Sequence, residues 1–465
     1  MSTTERQLAE LDGAIRRASA WVQEYLQTAG ERPVLAQVAP GEIRSWLPDA
    51  PPERGEPLEG LLDDFERLVL PGITHWHHPR FFSYFGTSTS APGILAELLI
   101  ASLNANAMLW RTSPAATEVE EVACDWLRQA IGLPDVFPGV INDTASSSTL
   151  YALTAAREVA DPEARTEGVD GRRLRYYTSE EAHSSVEKAG IVLGVGQRGV
   201  VRLPTDAEMR LDVRELERAV ARDRAAGLQP FAVVANVGTT STTSIDPVPA
   251  IADLCEREGL WLHVDAAYGG TAAILPSHRW VLDGCDRADS VVVNPHKWLF
   301  TPVDCSVLFC RREDVLRRAF SLVPPYLAET EASEVRNLMD YGTSLGRRFR
   351  GLKLWFVLRA FGLEGVREIL AGHLRMAQEL RNWVEGDPAF ELLAPVPFST
   401  VCFAHRDGDA RTEQIVEEVN ASGVAFVSHT MVRGRYAIRL AIGNSGTTPP
   451  DVRAAWDRIQ EAAAA

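Results

Sequence analysis

Between residues 91 and 352, short runs rich in β-branched and aromatic residues alternate with stretches of helical apolar spacing. Strands separated by helices pair in parallel, because the helix is the crossover that returns the chain to the same end of the sheet. The strand candidates are Gly139 to Ile141, Leu174 to Tyr177, Phe231 to Val237, Trp261 to Val264, Ser290 to Val293 and Ser306 to Phe309. The pattern predicts an α/β fold with a mostly parallel central sheet in a large domain over residues 91–352. Residues 1–90 read differently. Apolar residues at helical spacing (Leu8, Leu11, Ile15, Ala18, Val22, Tyr25, Leu26) give one amphipathic helix, a proline-rich connector follows, and a second helical pattern runs from Leu58 to Leu70 before Pro71-Gly72 stops it. Two helices bury little by themselves, so this N-terminal segment is expected to dimerise. Residues 353–465 open with a long helix, followed by Phe398 to Ala404, a helix near Thr412 to Asn420, and Tyr436 to Ile442, which predicts a small α+β C-terminal domain.

Composition excludes some partners. With 47 Lys and Arg against 63 Asp and Glu the net charge is -16, so neither a nucleic acid nor an anionic membrane surface would be attracted. The cysteines at 124, 255, 285, 305, 310 and 402 form no C-x-x-C pair, which suggests neither a zinc site nor a disulfide framework and points to reduced thiols in the cytoplasm. Early charges at Glu5, Arg6, Glu10 and Asp12 argue against a secretory signal. The most apolar stretch, Ala91 to Trp110, carries Glu97, Asn104 and Asn106, and is expected as a buried or subunit-interface helix and not a membrane span. The run Thr74-His75-Trp76-His77-His78-Pro79 lacks the helical histidine spacing and neighbouring carboxylate of a metal site, so no metal is expected. Trp76, Tyr84 and Phe85 are read instead as an aromatic pocket wall.

Three stretches carry chemistry. Asn294-Pro295-His296-Lys297-Trp298 follows the apolar run Ser290 to Val293, so a lysine arrives at a strand end in a dry interior. There it pairs, loses its proton more readily, or forms an imine with a carbonyl. The plainer alternative is a solvated loop lysine. Thr144-Ala145-Ser146-Ser147-Ser148-Thr149 precedes an apolar helical run and offers hydroxyls and free N–H groups to an anion such as phosphate, ordinary capping being the alternative. A second hydroxyl-rich turn spans Gly238 to Ser244. The run His263-Val264-Asp265-Ala266-Ala267-Tyr268 puts a carboxylate at a strand end with little bulk beyond it. Beside a pyridine ring, Asp265 would keep the nitrogen protonated and make the ring an electron sink; otherwise it caps the next turn. A phosphate turn, a ring-nitrogen carboxylate and an aldehyde-binding lysine together are what pyridoxal phosphate requires.

The motifs around Lys297 and Asp265, with Ala182-His183-Ser184-Ser185-Val186 and Leu345-Gly346-Arg347-Arg348-Phe349-Arg350, resemble those of the group II pyridoxal-phosphate-dependent amino-acid decarboxylases, most closely the aromatic-L-amino-acid decarboxylases. The resemblance runs from about Leu58 to the C-terminus. It implies a fold-type-I transferase-like fold with a helical N-terminal arm, and a homodimer with shared active sites. It also implies that Lys297 carries the cofactor's aldehyde and Asp265 pairs with the ring nitrogen. Ala267 and His183 cover the two ring faces, Ala145, Ser146 and Asn294 hold the phosphate, and Thr240 lies nearby. His296 would assist proton transfer, and Tyr326, on a lid-like segment from about Ala319 to Arg336, would protonate the carbanion left by carbon dioxide.

On the substrate side, Trp76, Tyr84, Phe85 and Thr87 match the wall of these decarboxylases. Gly86, Asn106 and Met108 depart from the animal pattern, and Gly346 leaves room for a large ring. Residues 106–110 are implied to reach the neighbouring subunit's site. The expected reaction is decarboxylation of tryptophan, tyrosine, phenylalanine or a hydroxylated relative. Alternatives are a decarboxylase of an acidic, diamino or branched aliphatic amino acid, an aromatic aldehyde synthase, and a cofactor-binding protein without catalysis.

Overall fold

The computed structural model describes residues 2–169, 173–322 and 335–465. Its largest element is a seven-stranded sheet. In chain order the strands are β2 (Gly139–Asn142), β3 (Leu174–Ser179), β4 (Val200–Leu203), β5 (Gln229–Asn236), β6 (Trp261–Asp265), β7 (Ser290–Val293) and β8 (Ser306–Cys310). Their order across the sheet is β2-β8-β7-β6-β5-β3-β4. The strands from β7 to β4 pair in parallel, while β8 runs antiparallel to both β7 and β2. Both faces are covered by helices, which is why β7 is a continuous apolar run and not an alternating one. Successive residues of β5 serve opposite cores: Val233 and Ala235 join Leu216, Ile251 and Leu262, whereas Ala232 and Val234 join Leu153, Val186 and Leu308. Each fully buried valine contributes about 1.5–3 kcal/mol relative to exposure.

A five-stranded sheet of order β1-β11-β12-β10-β9 lies beyond, with β1 (Phe81–Phe82), β9 (Phe390–Leu392), β10 (Thr400–His405), β11 (Phe426–Val432) and β12 (Arg435–Ala441). The helices Gly351–Gly386, Asp409–Ala421 and Pro449–Ala464 pack on it through Leu380, Ile415 and Trp456. β1 comes from the N-terminal ninety residues and pairs in parallel with β11, so that segment contributes a strand as well as helices.

The six strands expected from the pattern are present, one with the same bounds (Ser290–Val293) and the others with ends shifted by one or two residues. Four strands escaped the reading for physical reasons. β1 has two residues and β9 three; β4 is short and carries Arg202 at the sheet edge; β11 is hidden by the consecutive polar residues Ser428, His429 and Thr430, none of them buried, which break any apolar alternation. The helix expected from Leu58 to Leu70 is α-helical only over Leu58–Asp64. It then widens over Phe65–Val69 and tightens over Leu70–Gly72, where Pro71 lacks a backbone donor. The helix Gly351–Gly386 breaks direction at Gly362, whose φ of 61° suits glycine.

The start of that helix sits hard against the helix Pro114–Ile131. A Cβ on Gly351 would lie 2.7 Å from Glu120 Cα. Glu120 is itself buried, accepting hydrogen bonds from the Ile141 N–H at 2.9 Å and from Arg347 at 3.0 Å. Moving Glu120 therefore strains β2. Gly351→Ala should lower stability by about 1–3 kcal/mol through overpacking, read as a lower urea midpoint at unchanged slope; an unchanged midpoint would show that the two helices are free to separate.

Candidate active site

Because β2, β3, β5, β6 and β7 share one direction, their carboxyl ends lie along one edge of the sheet. Open parallel sheets bind ligands there. β2 leads through Asp143 and Thr144 into the helix Ala145–Ala160, and β3 leads to His183 at the start of the helix Ser184–Val192. β5 leads to the turn at Gly238–Thr240, β6 ends on Asp265, and β7 runs into Asn294 and the short helix Pro295–Trp298. These ends enclose a cavity of about 200 Å³. Thr144, Ala145 and Ser146 line one end; Asp265, Ala267, Asn294, His296 and Lys297 line its floor; His183, Thr239, Thr240 and Phe85 complete it. Gly238, at φ 93°, passes so close that a Cβ would lie 3.1 Å from the Gly269 nitrogen.

Every cofactor residue expected from the sequence lines this cavity. The helix Ala145–Ala160 begins with no side-chain cap from Thr144, which leaves its first N–H groups for an anion. Asp265 is buried and accepts from the Ala267 N–H at 3.1 Å. His183 Nδ1 accepts from the Ser185 N–H at 3.2 Å, so a neutral ring carries its proton on Nε2. Burial lowers the Lys297 pKa; Asp265 opposes this and the Arg439 guanidinium adds to it. Among the described residues Lys297 makes no ion pair. Its Nζ lies 5.1 Å from the centre of the Phe85 ring. A larger share of free amine is the consequence, and the free amine is the nucleophile.

Behind the lysine stands an aromatic column. Phe85 stacks on Tyr268 at 3.9 Å, Tyr268 on Trp298 at 4.7 Å, and Trp298 on His373 at 6.4 Å. Trp298 Nε1 donates to His373 Nδ1 at 2.9 Å and His373 Nε2 donates to the Asn444 carbonyl at 2.9 Å. The sequence reading missed Arg439. It is buried on β12, donates through Nε to the Ser241 carbonyl at 3.0 Å and through Nη1 to the Tyr84 carbonyl, and lies 4.6 Å over Phe85. Its Nη2 has no partner among the described residues. A lone arginine inside the apolar run Tyr436 to Ile442 was the available signal.

The substrate-side residues are more dispersed. Of them only Phe85 lines the cavity. Trp76 and Tyr84 are exposed and stack on each other at 5.8 Å, with Tyr84 edge-on to Phe426. Gly86 lies against the backbone of Gly443 and Asn444, and Thr87 is outside the cavity wall. Asn106 accepts from the Arg347 N–H at 2.9 Å and faces the Met108 sulfur, while Gly346 borders a separate small cavity with Asn142 and Tyr151. Within one chain, then, these residues do not converge. Tyr326 lies outside the described residues. The three neighbouring histidines also separate: His75 meets Tyr25 at 3.0 Å, His78 accepts from the Arg80 N–H at 2.9 Å, and His77 Nδ1 is buried without a partner.

A parallel sheet with an uncapped anion-binding helix, a strand-end carboxylate and an unpaired lysine in one cavity defines a cofactor-dependent enzyme of the pyridoxal-phosphate class. The family described as the pyridoxal-dependent decarboxylase conserved domain matches residues 40–406, and the chain belongs to that family. It is 39% identical over 461 residues to a phenylacetaldehyde synthase of Arabidopsis thaliana, covering 95% of this chain and 94% of that one. To the aromatic-L-amino-acid decarboxylase of Sus scrofa it is 38% identical, covering 96% and 94%. A solved structure of the Oryza sativa enzyme abbreviated TDC, with pyridoxal phosphate and tryptamine, superposes with a TM-score of 0.95 at 36% identity, covering 98% of each chain. The protein is a pyridoxal-phosphate-dependent amino-acid decarboxylase. The residues present fit that cofactor, on the uncapped helix start, the unpaired Lys297, and a buried Asn294 side-chain amide with one end lacking a partner among the described residues.

The buried histidines give the fold an acid limit. His373 is pushed down to about 4 by burial, below the 6.5 of an unfolded histidine. Between those values the unfolded chain binds more protons, so stability is full above pH 6.5 and falls as pH drops toward 4. This shift corresponds to as much as about 3 kcal/mol. Urea stability measured from pH 7 to pH 4 should decline less steeply for His373→Gln than for the natural protein; parallel curves would mean that His373 titrates alike in both states.

Proposed function

We propose that this enzyme converts an aromatic L-amino acid (tryptophan, tyrosine, phenylalanine or a hydroxylated relative) to its amine and carbon dioxide. The observation that carries the substrate class is the Phe85–Tyr268 stack beside Lys297, which offers a flat apolar wall to a ring. Similarity to decarboxylases named for aromatic amino acids, tryptophan and tyrosine supports it.

Bound pyridoxal phosphate supplies an aldehyde for the amine and a ring that takes up the electron pair left when the Cα–carboxylate bond breaks. The chain's residues do the rest. Lys297 would hold the aldehyde through its free amine. Asp265 keeps the ring nitrogen protonated, because its charge in a buried site favours the cationic ring. Ala267 leaves room for one ring face and His183 covers the other. Ala145, Ser146 and Asn294 hold the phosphate, with Thr240 beside them. Arg439, with a free N–H beside Phe85, attracts the substrate carboxylate. Tyr326 returns a proton to Cα.

The enzyme acts as a cytoplasmic homodimer in this reading. The helices Thr3–Thr28 and Ala91–Leu103 expose Leu8, Leu11 and Ile15, and Leu95, Leu98, Leu99 and Leu103, apolar side chains that a second copy would take out of water. A second copy covering it would bring residues 106–110 toward its neighbour's cavity and complete the wall that Gly86, Asn106, Met108 and Gly346 leave open. All six cysteines are free and buried, in keeping with a reducing compartment. No helix among the described residues is long and apolar enough to cross a membrane. Leu99→Asp should convert the dimer to monomer in sedimentation; an unchanged species would place the interface elsewhere.

Purified protein with pyridoxal phosphate, offered a panel of amino acids, should release equal amounts of carbon dioxide and amine from aromatic members. Release only from acidic, diamino or branched aliphatic members would overturn the substrate class. Lys297→Ala should abolish both the cofactor's bound absorbance band and turnover. Tyr326→Phe should keep the band and lower amine formation by about a hundredfold or more. The likeness to a phenylacetaldehyde synthase favours one second reading, oxidative release of an aldehyde, which stoichiometric ammonia and peroxide would establish.

A further inference from the structure

His296 stands next to Lys297 in sequence, but its ring is engaged elsewhere. Its backbone N–H donates to the Cys305 carbonyl at 3.3 Å, and the Cys305 N–H donates back to its Nδ1 at 2.9 Å. A backbone amide can only donate, so Nδ1 is a bare acceptor and the neutral ring carries its proton on Nε2. The position of Cys305 is itself fixed. Its neighbour Asp304 is held by Arg350 at 2.8 Å and by Lys353, buried on the same helix, at 3.6 Å. The ring is also kept neutral: burial, with Lys297 and Lys353 nearby, lowers it to about 3 against the opposing charge of Asp304.

The Nε2–H then meets the side-chain amide of Asn294. The amide nitrogen lies 3.3 Å from Nε2, and the amide oxygen is buried with no partner. That arrangement sets two donors against each other and strands an acceptor. The two ends of an amide have the same shape, so the hydrogen-bond pattern decides which is which. Turned over, Asn294 Oδ1 accepts from His296 Nε2–H, and its NH2 takes the place of the stranded oxygen in the wall of the cavity that Thr144, Ala145 and Ser146 also line. A buried donor there requires an acceptor.

We infer that His296 is a positioning residue: its locked tautomer turns the Asn294 amide so that the NH2 donates to the phosphate of the cofactor. The chain of donors runs from the Cys305 N–H to His296 Nδ1, from His296 Nε2–H to Asn294 Oδ1, and from Asn294 Nδ2 to a phosphate oxygen. No proton is transferred along it. His296 thus acts on phosphate affinity and not as an acid or base beside Lys297. The inference rests on the reading that this end of the cavity takes the phosphate.

Glutamine keeps an N–H where Nε2 stands, whereas asparagine keeps only an acceptor near Nδ1. Equilibrium binding to apo-protein would be measured by fluorescence with two probes, pyridoxal phosphate and phosphate-free pyridoxal. His296→Asn should raise the Kd for pyridoxal phosphate about tenfold or more and leave that for pyridoxal within about threefold; His296→Gln should restore the phosphate-dependent share, and Asn294→Ala should lose it. ¹⁵N spectra of the natural apo-protein should give a bare Nδ1 and a protonated Nε2. Equal losses for both probes, or a His296→Gln variant as weak as His296→Asn, would reduce His296 to a packing role and overturn the inference, as would full affinity in His296→Asn or a protonated Nδ1. If natural protein bound both probes alike, the placement of the phosphate itself would fall instead. Inorganic phosphate as competitor separates these cases: with pyridoxal phosphate held well below its Kd, it should compete at lower concentration in His296→Gln than in His296→Asn, and equal competition in the two would count against the inference.

Discussion

The shared direction of β2, β3, β5, β6 and β7 is the constraint on which the rest depends. Parallel pairing leaves the carboxyl ends of these strands side by side, and each end delivers one chemical group: helix N–H donors, His183, the hydroxyl turn, Asp265 and Lys297. No loop has to be long for this. β8, running the other way between β2 and β7, spaces the start of the helix Ala145–Ala160 from the lysine by one strand. Rigid strands and short turns hold the groups in place before any ligand arrives, which is how a site avoids the cost of ordering them during binding.

Around that edge the protein handles cations in two ways. Lys353, buried, and Arg350, half-buried, are both paired, tying Glu97 on the helix Ala91–Leu103 and Asp304 just beyond Lys297 into one network. Lys297 and Arg439 are left without carboxylate partners among the described residues, on either side of Phe85. Unpaired buried charge is costly, and in both cases burial favours the neutral form. Structural charges are satisfied by the fold; reactive ones await a ligand. The same network links the helix that exposes Leu95, Leu98 and Leu99 to the segment that follows Lys297.

Much of the site was legible because the chemistry sits at strand ends. A β-branched run ending in Asn294 and Lys297, and another ending in Asp265, place those side chains without knowledge of the tertiary structure. The helix start at Ala145 and Ser146 announces its free donors in the same way. Residues whose role depends on contacts far along the chain were not legible. Arg439 comes from the second sheet and reaches Phe85 only when the two sheets pack. The aromatic wall was read as one unit from neighbours in sequence, yet Trp76 and Tyr84 stack on each other on the outside, with Tyr84 edge-on to Phe426, while Phe85 goes inward onto Tyr268.

The sequence by itself determined the α/β class and the mostly parallel sheet, and it singled out the strand-end groups that the fold brings into one cavity, because apolar periodicity and strand-end position are local properties. Only the tertiary structure decided which nitrogen of His296 carries the proton, which way Asn294 must face, and which cations go unpaired. Those depend on hydrogen-bond partners and burial contributed by segments such as Cys305, Lys353 and Arg439, whose distances no spacing along the chain encodes.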